Sequence, residues 1–173
     1  MFGMENVWLT QSVDEIGVAT IEILGRMQSE SKEQDYADGE KLQNFGIYMQ
    51  GKHDSEREKY LNFDVSLDKI RVMAQVRLFN PYASRIFIGE NRYTFTSHHL
   101  CTICNIQQKE DLVHLLKECQ IYRFNRERHI PIVNNLNLRN FYKILIVKNK
   151  EDLFNMYSYI VRSCREKAFI LNE

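Results

Sequence analysis

A chain of 173 residues is long enough to bury the core of one domain or two small ones. With 44% hydrophobic and 27% charged residues it has the composition of an ordinary water-soluble protein, and no apolar run approaches the roughly 20 residues of a membrane span. Residues 1–64 carry 6 Lys+Arg against 13 Asp+Glu, residues 65–119 carry 7 against 5, and residues 120–173 carry 10 against 5, so a net charge of zero divides into −7, +2 and +5.

Met1 to Thr10 lacks a basic region followed by an apolar stretch, so no secretory signal is expected and an intracellular setting, nuclear or cytoplasmic, follows. Ser12-Val13-Asp14-Glu15 reads as a capping box. Behind it Ile16, Ala19, Thr20, Ile23, Leu24 and Met27 recur at helical spacing, which predicts an amphipathic helix over about 12–30. Residues 29–40 are polar and acidic and read as a loop or linker. Within them Asp35-Tyr36-Ala37-Asp38-Gly39 resembles the Y-x-D-D turn of polymerases, but Gly39 replaces the second aspartate and no strand pattern brackets it. A short apolar stretch, Phe45 to Met49, is followed by a charged segment from Lys52 to Lys59.

A second helix is predicted from near Ser66, with Ile70, Met73, Ala74, Arg77 and Leu78 facing inward, stopping before Asn80-Pro81 because the residue preceding proline is pushed out of the helical region. Arg85 to Thr96 is β-branched and aromatic-rich around Gly89-Glu90-Asn91, the pattern of a small hairpin. After a metal-ligand cluster and an Arg-rich segment ending at Pro131, Phe141 to Val147 forms an apolar run of strand or short helix. A last helix is predicted from Asn149 through Leu153, Met156, Tyr157, Ile160, Val161, Cys164 and Ala168, with Cys164 a core residue.

The cluster itself is Cys101, Cys104, His114 and Cys119, spaced C-x2-C-x9-H-x4-C. A C-x2-C turn presents two thiolates to one tetrahedral ion, and the His and Cys that follow complete a four-ligand Zn²⁺ shell with no open position for catalytic water. His98 and His99, just before Cys101, are the alternative imidazoles. On a helix over about Glu110 to Glu118, Leu112, Leu115 and Leu116 form one stripe and His114 points nearly opposite. His114 and Cys119 would stand about 140° apart on a continuous helix, so both can reach one ion only where the helix ends or unwinds before Cys119. Three thiolates leave one excess negative charge on the site, which Lys117 and Arg123 are placed to offset. The same basic segment, Arg123, Arg126 and Arg128 interleaved with Tyr122, Phe124 and His129, suits phosphates and unpaired bases. No glycine-rich nucleotide loop and no nucleophile–base set stands out, so no catalytic residue and no small-molecule substrate are expected.

The run Ile70-Arg71 … Arg77-Leu78, Gly89-Glu90-Asn91-Arg92-Tyr93, Leu100-Cys101-Thr102-Ile103-Cys104-Asn105 and Glu110-Asp111-Leu112-Val113-His114-Leu115-Leu116-Lys117-Glu118-Cys119 resembles the zinc-binding region that follows the reverse transcriptase domain in non-LTR (LINE-type) retrotransposon polyproteins. Tyr122 and Arg126 match that family's continuation after the last cysteine, and Phe141-Tyr142-Lys143-Ile144-Leu145 resembles its C-terminal segment. The resemblance covers about 40–173. It implies zinc at Cys101, Cys104, His114 and Cys119 and a grip on RNA or DNA through Lys117, Tyr122, Arg123, Arg126 and Arg128. Palm carboxylates and an endonuclease are missing from this sequence, so the resemblance carries over no polymerase activity and leaves a truncated element, a gene-model fragment and a co-opted remnant as alternatives.

The expectation is therefore a mostly α protein: a small CCHC zinc module with a short hairpin, flanked by amphipathic helices. Residues 1–40 would be the N-terminal helix and acidic linker, 41–130 the zinc module and 131–173 the C-terminal helical segment. The alternative function is a zinc-stabilised module that docks a protein through its apolar helices.

Overall fold

The computed structural model describes residues 13–41, 58–80, 82–104 and 106–171. The chain divides into two compact units, Met1–Leu42 and Gln43–Glu173, and the second contains the whole Cys/His cluster and the C-terminal helix. The capping Ser12, the Phe45–Met49 stretch and most of the charged segment after Lys52 lie outside the described residues.

In the first unit, helix α1 runs over Val13–Lys41, so the acidic segment 29–40 is helix and not the expected loop. Ser and Asp are only mildly poor helix formers, and helix-favouring Lys32, Glu33, Gln34 and Ala37 outweigh them. Pairs one turn apart add to this: Arg26 with Glu22, and Gln34 donating to Asp38 at 2.8 Å. Ile16, Ile21, Leu24 and Met27 are exposed.

The second unit is built of helices with one hairpin. Helix α2, Leu67–Arg77, follows Ser66 and ends short of Asn80. It buries Val72, Met73 and Val76 together with Arg77. Ile70 is half-buried, but Leu78 is 47% exposed, because it is the cap residue where the backbone leaves the helix. Arg77 is tolerated inside because both terminal nitrogens of its guanidinium are engaged. Its guanidinium donates to the Leu145 carbonyl at 2.8 Å, pairs with Glu58 at 2.8 Å and lies over the Tyr60 ring.

Strands β1, Ala83–Ile88, and β2, Asn91–Thr96, pair antiparallel from Ala83↔Thr96 to Ile88↔Asn91. Ser84, Ile86 and Ile88 alternate inward. Gly89 takes φ +60° and Glu90 does not take a positive φ, as a two-residue turn with glycine at its first position requires. Two short 3-10 runs, Pro131–Asn135 and Leu138–Leu145, bury Val133, Phe141 and Leu145.

Helix α4, Lys150–Leu171, closes the unit, with the Asn149 side chain accepting the Asp152 amide at its start. (Helix α3, Arg123–His129, belongs to the site below.) Leu153, Met156, Ile160, Cys164 and Lys167 make its buried stripe, and Tyr159 is buried beside them. Tyr157 and Ala168 are only partly buried. Lys69 of α2 lies over the rings of Phe154 and Tyr157 at 5.1 and 5.4 Å, tying α2 to α4. Among the described residues no helix is long and apolar enough to cross a membrane.

Candidate metal centre

The two sides of the site are a short loop and a widened helical turn. Leu100 and Lys109 form an antiparallel bridge, flanked by the Cys101 amide on the Gln108 carbonyl at 2.8 Å and the Glu110 amide on the His99 carbonyl at 3.1 Å. Between them the chain reverses, with Gln107 in the left-handed region at φ 53°, and presents Cys101 and Cys104 to the same side.

Asp111 then starts the helical segment. Its carboxylate accepts the His114 amide at 2.8 Å and its carbonyl accepts the Leu115 amide at 2.9 Å, the geometry of an N-cap and first α turn. From His114 to Glu118 the turn widens to π geometry, and the Cys119 amide reaches five residues back to the His114 carbonyl at 2.9 Å. Cys119 itself is extended, at φ −59° and ψ 118°. The helix thus unwinds where the spacing of His114 and Cys119 demands it.

Cys101, Cys104, His114 and Cys119 are all buried, and their ligand atoms lie within 4.8 Å of one another. His114 Nε2 stands 3.2 Å from Cys104 Sγ. A tetrahedral zinc with Zn–S of about 2.3 Å holds two sulfurs about 3.8 Å apart, so closing the shell asks for shifts of about 1 Å or less. None of the four cysteines is in a disulfide. The donor set fits a thiophilic ion. The three sulfurs and one imidazole can hold a metal ion.

Electrostatics within the cluster favour a thiolate. The Cys119 hydrogen bond, working against burial, pulls the Cys101 thiol down to about 3. The same bond together with burial pushes Cys119 up, and burial pushes Cys104 up. Burial alone would lower His114, but its bond to Cys101 and the charges of Cys101, Glu118 and Asp111 raise it overall. His114 Nδ1 faces Glu118 Oε2 at 3.8 Å, the side on which a carboxylate orients a ligating imidazole.

The surrounding elements hold this turn by its carbonyls. Tyr159 of α4 donates its hydroxyl to the Leu115 carbonyl, while the turn's own Lys117 side chain reaches out to donate to the Leu136 carbonyl. Arg126 donates to the Cys119 carbonyl at 2.6 Å. The last carbonyls of a helix have no partner within it, so the Tyr159 and Arg126 bonds fix a helix end that would otherwise fray. A second brace is the ion pair between Lys167 and Glu110 at 2.8 Å, both side chains nearly buried. Lys167 also donates to the Thr94 carbonyl at 3.0 Å and lies over Phe95 at 4.6 Å, joining the hairpin, the metal segment and α4.

The residues expected to touch nucleic acid separate into two groups. Tyr122 is 2% and Arg126 3% exposed, so neither offers a surface to a base or phosphate. Both belong to the interior of the module, with Arg126 spent on Cys119. Arg123 and Arg128 stand outward on α3, Arg123 paired with Glu127 at 2.8 Å, and Lys117 is half-buried against Leu136. Arg123 therefore points to Glu127 and Arg126 is the cation beside the site. His98 and His99 are exposed and not among the clustered donors; His98 stacks on Tyr82. Cys164 is fully buried away from the cluster.

Asp111, Glu118, Tyr159 and Lys167 were not read as site residues from the sequence. Asp111-x-x-His114 carries the visible spacing of a cap, whereas Tyr159 and Lys167 reach the site only through tertiary packing. No protein-family model, curated protein or solved structure matches the chain.

Proposed function

We propose that this chain is a zinc-dependent nucleic-acid-binding module without a catalytic role of its own, akin to the zinc-binding region of non-LTR retrotransposon reverse transcriptases. Zinc is the ion that three thiolates and an imidazole in a closed tetrahedron suit best, and a closed shell serves structure rather than water activation. The family reading is supported by the order and spacing of the sequence motifs.

One observation carries the binding reading: the basic helix is fastened to the metal turn. Cys119 ends that turn, Arg126 of α3 bonds its carbonyl, and Asn125 bonds Glu166 of α4 at 2.9 Å. Helix α3 is thereby held on both sides while Arg123 and Arg128 face solvent in the part of the chain with a net charge of +5. Two arginines held in place beside a rigid centre, Arg128 and the Glu127-paired Arg123, suit phosphate contact.

The test is fluorescence anisotropy with single-stranded RNA, single-stranded DNA and duplex at two salt concentrations. A contact with about four phosphates of a single strand loses roughly fifty-fold in affinity between about 50 and 200 mM salt. Arg123→Gln and Arg128→Gln should each flatten that dependence by about one unit of slope. A salt-indifferent affinity, or none, would remove the reading.

Phe124 on α3 and Phe169 near the end of α4 are 69% and 83% exposed, which favours a second reading: a zinc-stabilised module that docks a protein through apolar contacts. Binding of that kind would change little with salt.

A further inference from the structure

A cleft of about 310 Å³ opens where α3 ends, between the 3-10 run Leu138–Leu145 and the first turns of α4. It lies in the basic part of the chain, apart from the clustered Cys and His donors, at the small end of the size range of ligand pockets. Ile130, Ile144, Ile146 and Met156 give it an apolar wall. Asp152 and Asn155, one turn apart on α4, supply polar groups inside it, and Lys143 and Lys148 stand exposed at its rim. His129 lines it too, its Nε2 without a hydrogen-bond partner.

The chemistry inside and outside the cleft differs. Cations at the rim suit a phosphate. The carboxylate within repels another acid, so the side chain of an acidic peptide is a poor occupant. Asp152 accepts the Lys148 amide at 3.0 Å and, as a carboxylate, has further lone pairs for a donor. Asn155 offers both a donor and an acceptor. A flat apolar body with N–H donors on one edge and an anion attached outside is a nucleotide.

We propose that this cleft seats one unpaired nucleotide, its base against the isoleucine and Met156 wall, its exocyclic amine toward Asp152 and Asn155, and its phosphate at Lys143 and Lys148. The proposal rests on the nucleic-acid reading above and deepens it. Bases with an exocyclic amine are favoured, because a carboxylate accepts from cytosine N4, where uracil presents the acceptor O4 and only its N3–H as a donor.

The experiment is anisotropy with labelled eight-nucleotide cytidine and uridine RNA homopolymers, on the full chain and on Asn155→Trp, Asn155→Ala and Lys143→Gln/Lys148→Gln. Circular dichroism and metal content establish that each variant is folded. Cytidine RNA should bind more tightly than uridine RNA. Asn155→Trp, which fills the cleft, should weaken cytidine binding about ten-fold and remove the preference, an effect the size of one seated base. Asn155→Ala should reduce the preference with less loss of affinity, whereas Arg123→Gln should weaken both homopolymers alike. Unlabelled cytidine monophosphate tells the sources apart: competition at a modest excess identifies a free nucleotide as sufficient, and competition by the strand alone identifies a strand. Strand binding that is salt-sensitive and lost in Arg123→Gln, but unchanged in Asn155→Trp, would overturn the cleft and leave the nucleic-acid reading standing. No strand binding by the parent protein would overturn both.

Discussion

Lys167→Met isolates the brace that joins α4 to the metal segment. In the parent protein Lys167 and Glu110 meet at 2.8 Å with side chains only 8% and 9% exposed. Removing the ammonium leaves a buried carboxylate without its partner, which costs about 3–5 kcal/mol. For the unit Gln43–Glu173, at about 2.1 cal/mol/K per residue, that corresponds to a fall in Tm of roughly 11–18 °C. Glu110→Gln should cost less, because Lys167 keeps the Thr94 carbonyl and the Phe95 ring. The double variant removes both charges and should be more stable than the two single losses added together, by about 2–3 kcal/mol. Urea denaturation followed by circular dichroism, with metal content measured on each protein, completes the cycle. A single-variant loss under about 1 kcal/mol, or strict additivity, would refute the claim that this pair is a buried, coupled brace.

The same pair predicts a pH dependence. Burial pushes the Glu110 pKa up while Lys167 restrains it, so Lys167→Met should let it rise further. A carboxyl whose folded pKa lies above its unfolded value is least costly while protonated, and stability is lost as pH rises toward the folded value. The stability difference between parent and Lys167→Met should therefore widen as pH rises through the range in which Glu110 ionises in the parent, and level once it has ionised in the variant as well; a difference that narrows would contradict the sign. Arg126→Met, which strips the Cys119 carbonyl of its donor, should cost about 1.5–3 kcal/mol in urea denaturation and reduce metal retention under competition by a chelator. Gly89→Ala should cost about 1–2 kcal/mol: a Cβ meets nothing there, but φ is +60°, and Gly89→Asn should recover part of the loss. Cys164→Ser, placing a hydroxyl in the core, should destabilise by about 1–3 kcal/mol while leaving the metal stoichiometry at that of the parent.

What the sequence discloses best is what short spacing determines. The C-x2-C turn, His114 and the break before Cys119 are readable because they lie within one loop and one helical segment, where backbone geometry leaves few choices. The hairpin at Gly89 and the ends of α2 and α4 follow from equally local signals. Tyr122 and Arg126 misled for a different reason. Their residue types suggest nucleic-acid contact, yet Tyr122, Arg126 and Ile130 fall four residues apart, and that stripe is buried. The periodicity was a sufficient signal, and residue type masked it. The acidic run at 29–40 misleads in the opposite way: its polarity suggests a loop, while helix propensity and one-turn pairs carry α1 through it. Lys167 completes an apolar stripe that includes Cys164, and only its partners Glu110 and Thr94, distant in sequence, explain why a lysine belongs there.

Whether the Cys/His cluster holds zinc is decided by the metal content of the purified chain, read by atomic emission after exhaustive dialysis, beside Cys104→Ser, His114→Ala, Cys119→Ser and Cys164→Ser. One zinc per chain is expected in the parent and in Cys164→Ser, with the three other variants losing the metal and the cooperative unfolding of the second unit. A folded parent that retains no metal, or a Cys119→Ser variant that binds zinc as tightly as the parent, would contradict it.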